Sequence, residues 1–241
     1  MISLTGDLSD PAKVSTSDPR ATSRPDDLSN NAHRQLIGYI GLVLPFLLIF
    51  ITRARDGVEL WKKLESISAY YYTGAVAAFV GMLVALALFL FAYRGYKNKY
   101  NWIDRLAAKI AAVGCLAVAF FPTKAPETVT ALLWWKPYMG YLHHVAAVVV
   151  FAIFAVFALW LFRLTADGEQ PAADKRWRNR IYLACGLVIV ACILWAGYNG
   201  LNSQPIFWPE SIALIAFAIS WLVKGYAHRT IARAARSLMN R

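Results

Sequence analysis

Charge is scarce in this chain: only 16% of its 241 residues are Asp, Glu, Lys or Arg, against about 25% in soluble domains. Cysteine is scarcer still, and three of them exclude the disulfide framework of a small secreted fold. No apolar run follows Met1. Residues 1–32 are mostly Ser, Thr, Asp, Pro, Asn and other small or polar types without hydrophobic period, so a disordered tail is expected there and a cleaved signal peptide is not. Lys109 is the one charge well inside an apolar stretch, which speaks against a proton-coupled pump or a voltage sensor. Metal-ligand spacing is also missing. His143 and His144 are adjacent, about 100° apart on a helix, and do not form a His-x-x-x-His pair. Neither a metal nor a cofactor is expected.

What the chain does have is apolar mass, 59% of residues with a mean hydropathy of +0.45, the composition of a membrane protein. About 20 apolar residues cross a bilayer core. Six segments qualify: Leu36–Ile51, Gly74–Tyr93, Ile103–Phe121, Tyr141–Phe162, Ile181–Tyr198 and Phe207–Val223. The expected fold is therefore all-α, a polytopic bundle of six transmembrane helices. It divides into a disordered cytoplasmic tail (1–32), the transmembrane domain (33–224) and a basic amphipathic cytoplasmic tail (225–241).

The net charge of +11 could suggest nucleic acid, but its distribution suggests topology instead. With six spans, 18 of the 25 Lys and Arg residues fall on the side of the two termini and six on the other, Lys109 being the last. Cationic loops stay in the cytoplasm, so both termini are expected there, and nucleic acid is not an expected partner. The nine tryptophans fall at segment ends, where amphipathic rings sit at headgroup depth. Arg229, Arg233 and Arg236 share one helical face of the C-terminal tail, which suits anionic lipid. Small residues at four-residue spacing (Ala77, Gly81, Ala85) and the alanines of the third segment mark those two helices as the expected buried pair. A seam between two copies of the chain, giving a homo-oligomer, would have the same pattern. Pro45 is expected to kink the first helix.

Polar chemistry gathers on the expected outer side. Glu65, Ser66, Ser68, Tyr70 and Tyr71 stand in the first outer loop, His143 and His144 open the fourth segment, Asn199 lies in the last outer loop, and Glu210 opens the sixth segment. Polar groups converging at the mouth of a helix bundle make a ligand site. Each also has a plainer use: tyrosines as an interfacial belt, Pro209 and Glu210 as a helix start. Only one of the adjacent histidines can face the bundle easily. Three functions follow. One is the binding of a membrane lipid or small amphiphile in an outer-face pocket. The second is an intramembrane lipid hydrolase drawing on Glu65, His143 or His144, and Glu210, with Ser66 or Ser68 as a conceivable nucleophile. The third is a structural or pore-forming effector.

The run Ser66-Ile67-Ser68-Ala69-Tyr70-Tyr71-Tyr72-Thr73, followed by Phe79-Val80-Gly81 and Tyr93-Arg94-Gly95-Tyr96, resembles a family of uncharacterised bacterial six-span membrane proteins. Phe120-Phe121-Pro122 and the histidine opening the fourth segment fit the same pattern. The topology is more distantly similar to DRAM-type six-helix proteins. The resemblance implies a membrane scaffold in a bacterial inner membrane and no defined reaction. The family pattern carries an acid just before Phe-Val-Gly, where this chain has Ala77 and Ala78.

Overall fold

The structure is a computed structural model that describes residues 25–57, 65–95, 98–126, 132–165 and 175–226. Every described element is helical. The α-helices are α1 (Pro25–Asp56), α2 (Val76–Phe91), α3 (Asn101–Phe120), α4 (Pro137–Leu159), α5 (Lys175–Leu201) and α6 (Phe207–Lys224). Short 3-10 turns occupy Ser68–Tyr72 and Leu161–Arg163.

Four stretches are long and apolar enough to cross a membrane: Ser29–Asp56, Pro137–Arg163, Lys175–Leu201 and Phe207–Lys224. They mark the chain as a multi-pass membrane protein. The other two helices fall short for different reasons. α2 is apolar throughout but has 16 residues, about 24 Å at 1.5 Å each. α3 has 20 residues, with Asn101, Asp104, Arg105 and Lys109 in its first half.

The six helices form a ring in chain order, each packed on the next, and α6 closes it against α1. α6 is the most enclosed, with 11 of its 18 residues buried. Phe217 stacks on Phe154 at 3.6 Å between ring centroids, and Trp221 meets the rings of Tyr93, Phe157 and Phe162. Trp221 is thus a fully buried core residue and not part of an interfacial belt. The outside of the ring is as apolar as the inside: Phe46, Phe50, Leu88, Val113, Val148 and Leu194 are all exposed. Such a surface suits lipid.

Small residues matter where helix axes come close, though not where the spacing rule put them. A Cβ on Gly186 of α5 would lie 2.4 Å from Leu159 of α4, and one on Gly114 of α3 would lie 2.5 Å from Val150. On α3 the expected alanines 107, 108, 111, 112 and 119 are indeed buried. On α2 they are not. Ala77 and Gly81 are exposed, and the helix turns Phe79, Leu83, Leu86 and Leu90 inward. Both stripes are apolar, and filling the gap beside α3's alanines takes large side chains.

One expected boundary shifts. α1 begins at Pro25, inside the stretch assigned to the tail. Pro25-Asp26-Asp27 is a helix-start sequence, with Pro at the first position and acids toward the positive end of the dipole. Pro45 lies inside α1. Residues 1–24 and the arginine face at 229, 233 and 236 lie outside the described residues, as does Trp61.

Candidate functional site

The site lies at the end of the ring where α1, α3 and α5 finish and α2, α4 and α6 start. Its floor is the segment 65–73. This segment is clasped to the start of α6 from both directions. The Glu65 carbonyl accepts the amides of Ile206 at 2.7 Å and Phe207 at 3.0 Å, and the Glu210 carboxylate accepts the Ile67 amide at 2.7 Å. Helix starts leave amides unpaired, and the Glu65 carbonyl caps two of them. The Ser66 hydroxyl accepts the Ala69 amide at 3.1 Å and opens the 3-10 turn. Thr73 anchors the far end through Thr52 of α1, hydroxyl to hydroxyl, at 3.1 Å.

The chain after α3 forms the adjoining wall. Three consecutive carbonyls each accept a side-chain donor: Phe121 from His143 Nδ1 at 2.7 Å, Pro122 from Trp135 Nε1 at 3.0 Å, and Thr123 from the Tyr72 hydroxyl. They hold α3's exit, the 3-10 turn and the start of α4 together. The first also fixes the His143 tautomer. A carbonyl only accepts, so the proton sits on Nδ1 and Nε2 offers a lone pair. That lone pair faces the Ser68 hydroxyl, with Oγ 2.7 Å from Nε2. Both residues are buried, His143 at 2% exposure and Ser68 at 7%.

These groups border a cavity of about 580 Å³ between α4, α5 and α6. α4 and α5 touch at Leu159 and Gly186, and toward the other end the cavity separates them, with Val148 on one wall and Ile193, Ala196 and Gly197 on the other. Ser66, Ser68, Thr123, His143, His144 and Glu210 form its polar portion. Ser68 and Glu210 also edge a smaller apolar void of about 50 Å³ lined by Phe79, Cys115 and Phe154. A Cβ on Gly197 or Gly200 would meet nothing within 4 Å.

The expected site residues therefore divide. Ser66, Ser68, His143, His144 and Glu210 come together around one cavity. Glu65 joins through its backbone, and the residue is exposed. Tyr70 is buried against Phe207, with ring centroids 6.0 Å apart, and burial pushes its phenol above the ordinary range. Tyr71 packs on Phe79 and Tyr72, and burial, reinforced by Tyr71, raises the Tyr72 phenol as well. These two tyrosines pack the turn and do not line the cavity. Asn199 braces the α5–α6 loop, its Nδ2 donating to the Pro205 carbonyl at 2.7 Å. The histidines split as helical geometry requires: His143 points in, while exposed His144 bonds through Nδ1 to the Gly140 carbonyl at 2.6 Å. Thr123, Cys192 and the Phe121 carbonyl were missed in the sequence. Cys192 had no reason to stand out among apolar neighbours, and a carbonyl has no side-chain signature. Among the described residues, no group of three or more His, Cys, Asp or Glu is placed to hold a metal ion.

The opposite end of the ring holds a second polar cluster. Arg34, Asp104, Arg178 and Lys224 are all buried there. The Tyr93 hydroxyl donates to Asp104 Oδ2 at 3.3 Å, and Lys224 Nζ to the Phe162 carbonyl at 3.3 Å.

No family model, curated protein or solved structure matches the chain.

Proposed function

We propose that the chain is a six-span bacterial inner-membrane protein with both termini in the cytoplasm, and that its outer-half cavity binds a lipid or small amphiphile. The supporting observation is the cavity itself. About 580 Å³ with an apolar wall and a cluster of hydroxyls, imidazoles and one carboxylate falls within the range of small-molecule sites. Its polar portion lies beside the clasped 65–73 segment, at the depth a headgroup would occupy if the cationic side of the chain is cytoplasmic. Its apolar part runs between α4 and α5, and exposed Val148 and Leu201 leave that flank facing hydrocarbon. An amphiphile could therefore enter sideways from the bilayer.

Gly197 offers the test, because a side chain there enters open space. The full chain, purified in mild detergent, is expected to carry a co-purifying amphiphile in native mass spectrometry. Gly197→Trp should lower its occupancy about tenfold or more, a difference of about 1.4 kcal/mol, without changing the elution volume. A wild-type protein that carries no amphiphile, and acquires none when mixed with bacterial lipid extract, overturns the reading.

A further inference from the structure

We propose that Ser68 is a nucleophile and His143 its general base, and that together they hydrolyse an uncharged acyl ester held in the cavity. The proposal rests on the binding reading above and adds chemistry to it. Nucleophilic catalysis by serine needs a base within hydrogen-bond reach and a third group that orients the base. All three are present. Ser68 Oγ lies 2.7 Å from His143 Nε2, and His143 Nδ1 lies 2.7 Å from the Phe121 carbonyl. The orienting carbonyl is itself fixed, since the next two carbonyls in the chain are bound by Trp135 and Tyr72. A Ser–His contact that served only to pin the 3-10 turn would not have to border a cavity. This one does, and Ser68 also edges the smaller apolar void beyond.

In the reaction, Ser68 Oγ attacks the ester carbonyl carbon as His143 Nε2 takes the hydroxyl proton. The bond from that carbon to the alcohol oxygen then breaks, and His143 returns the proton to the leaving alcohol. A water from the polar mouth attacks the acyl-serine, again losing a proton to His143, and the fatty acid leaves while Ser68 recovers its hydroxyl. Among the described residues, no Lys or Arg lines the cavity, and Glu210 is the one carboxylate. An anionic headgroup would find no counter-charge among them, and an unpaired charge is costly to bury. The substrate class is therefore a neutral ester such as a mono- or diacylglycerol.

The test uses the full chain in nanodiscs with an alkyl fluorophosphonate and, separately, monooleoylglycerol. The wild type should be labelled on the peptide containing Ser68 and release oleate. Ser68→Ala should abolish both while eluting at the wild-type volume. His143→Asn retains at the Nδ1 position a donor for the Phe121 carbonyl but no base, and should slow labelling about 10²-fold or more. Monooleoylglycerol should be cleaved in preference to an anionic lysophosphatidic acid. Amphiphile bound but Ser68 unlabelled overturns the nucleophile and leaves the binding reading standing. Labelling that survives Ser68→Ala also overturns it. A wild type with neither amphiphile nor label overturns both.

Discussion

The two histidines of α4 are one residue apart in sequence and in different surroundings, because a helix turns about 100° per residue. His143 is locked between a carbonyl and a hydroxyl, whereas His144 satisfies itself on the preceding turn. Height along the helix separates two glycines of α5, which at eleven residues apart fall on nearly the same face. Gly186 lies against Leu159, where a Cβ would be 2.4 Å from its side chain, while Gly197 borders the cavity with nothing near it. Alanine should therefore act in opposite senses along one helix. Gly197→Ala removes the entropic cost of a mid-helix glycine and should raise stability by about 0.5–1 kcal/mol. Gly186→Ala forces a packed contact apart and should lower it by about 1–3 kcal/mol. Thermal unfolding in detergent, read by circular dichroism, is the measurement. Equal shifts of the same sign would show that the two walls are not placed as described.

At the level of elements, the site depends on the clasp between residues 65–67 and the start of α6. Replacing Glu210 with leucine leaves the Ile67 amide without its acceptor, and an orphaned buried donor costs about 1–3 kcal/mol. Segment 65–73 should then open more often. Its amide exchange, followed by mass spectrometry, is expected to quicken about tenfold, while the middle of α6 stays protected. Uniform acceleration throughout the chain would mean that Glu210 supports the whole bundle and not this one loop. The helices themselves were legible from apolar run length, because hydropathy is what a bilayer selects. Their facing was not. In α2 the stripe Ala77–Gly81–Ala85 and the stripe Phe79–Leu83–Leu86–Leu90 are both apolar, so periodicity cannot tell lipid side from bundle side, and the rule favouring small residues chose the wrong one. The gathering of Ser66, Ser68, His143, His144 and Glu210 at one end was legible because all five stand at span boundaries on one expected side. The pairing of Ser68 with His143 was not, since it follows from the backbone path of residues 121–123.

Across the whole molecule, ring closure gathers charges that look harmless one at a time. Arg34, Arg178 and Lys224 fall among the cations on the side of the two termini, yet the meeting of α1, α3, α5 and α6 buries them together with Asp104. Buried charges tolerate the removal of a partner poorly, and the cavity of about 580 Å³ lies at the opposite end. The same polarity sets the expected orientation. The end rich in cations is also the side carrying 18 of the 25 Lys and Arg residues under a six-span topology, and cationic loops are retained in the cytoplasm. The three native cysteines are buried, so an introduced cysteine can report alone. A cysteine placed at Ser203, in the α5–α6 loop, should react with a membrane-impermeant maleimide on intact cells, and one placed at Ser17 only after permeabilisation. Reaction of both from outside would break the alternation, and with it the placement of the cavity in the outer half of the membrane.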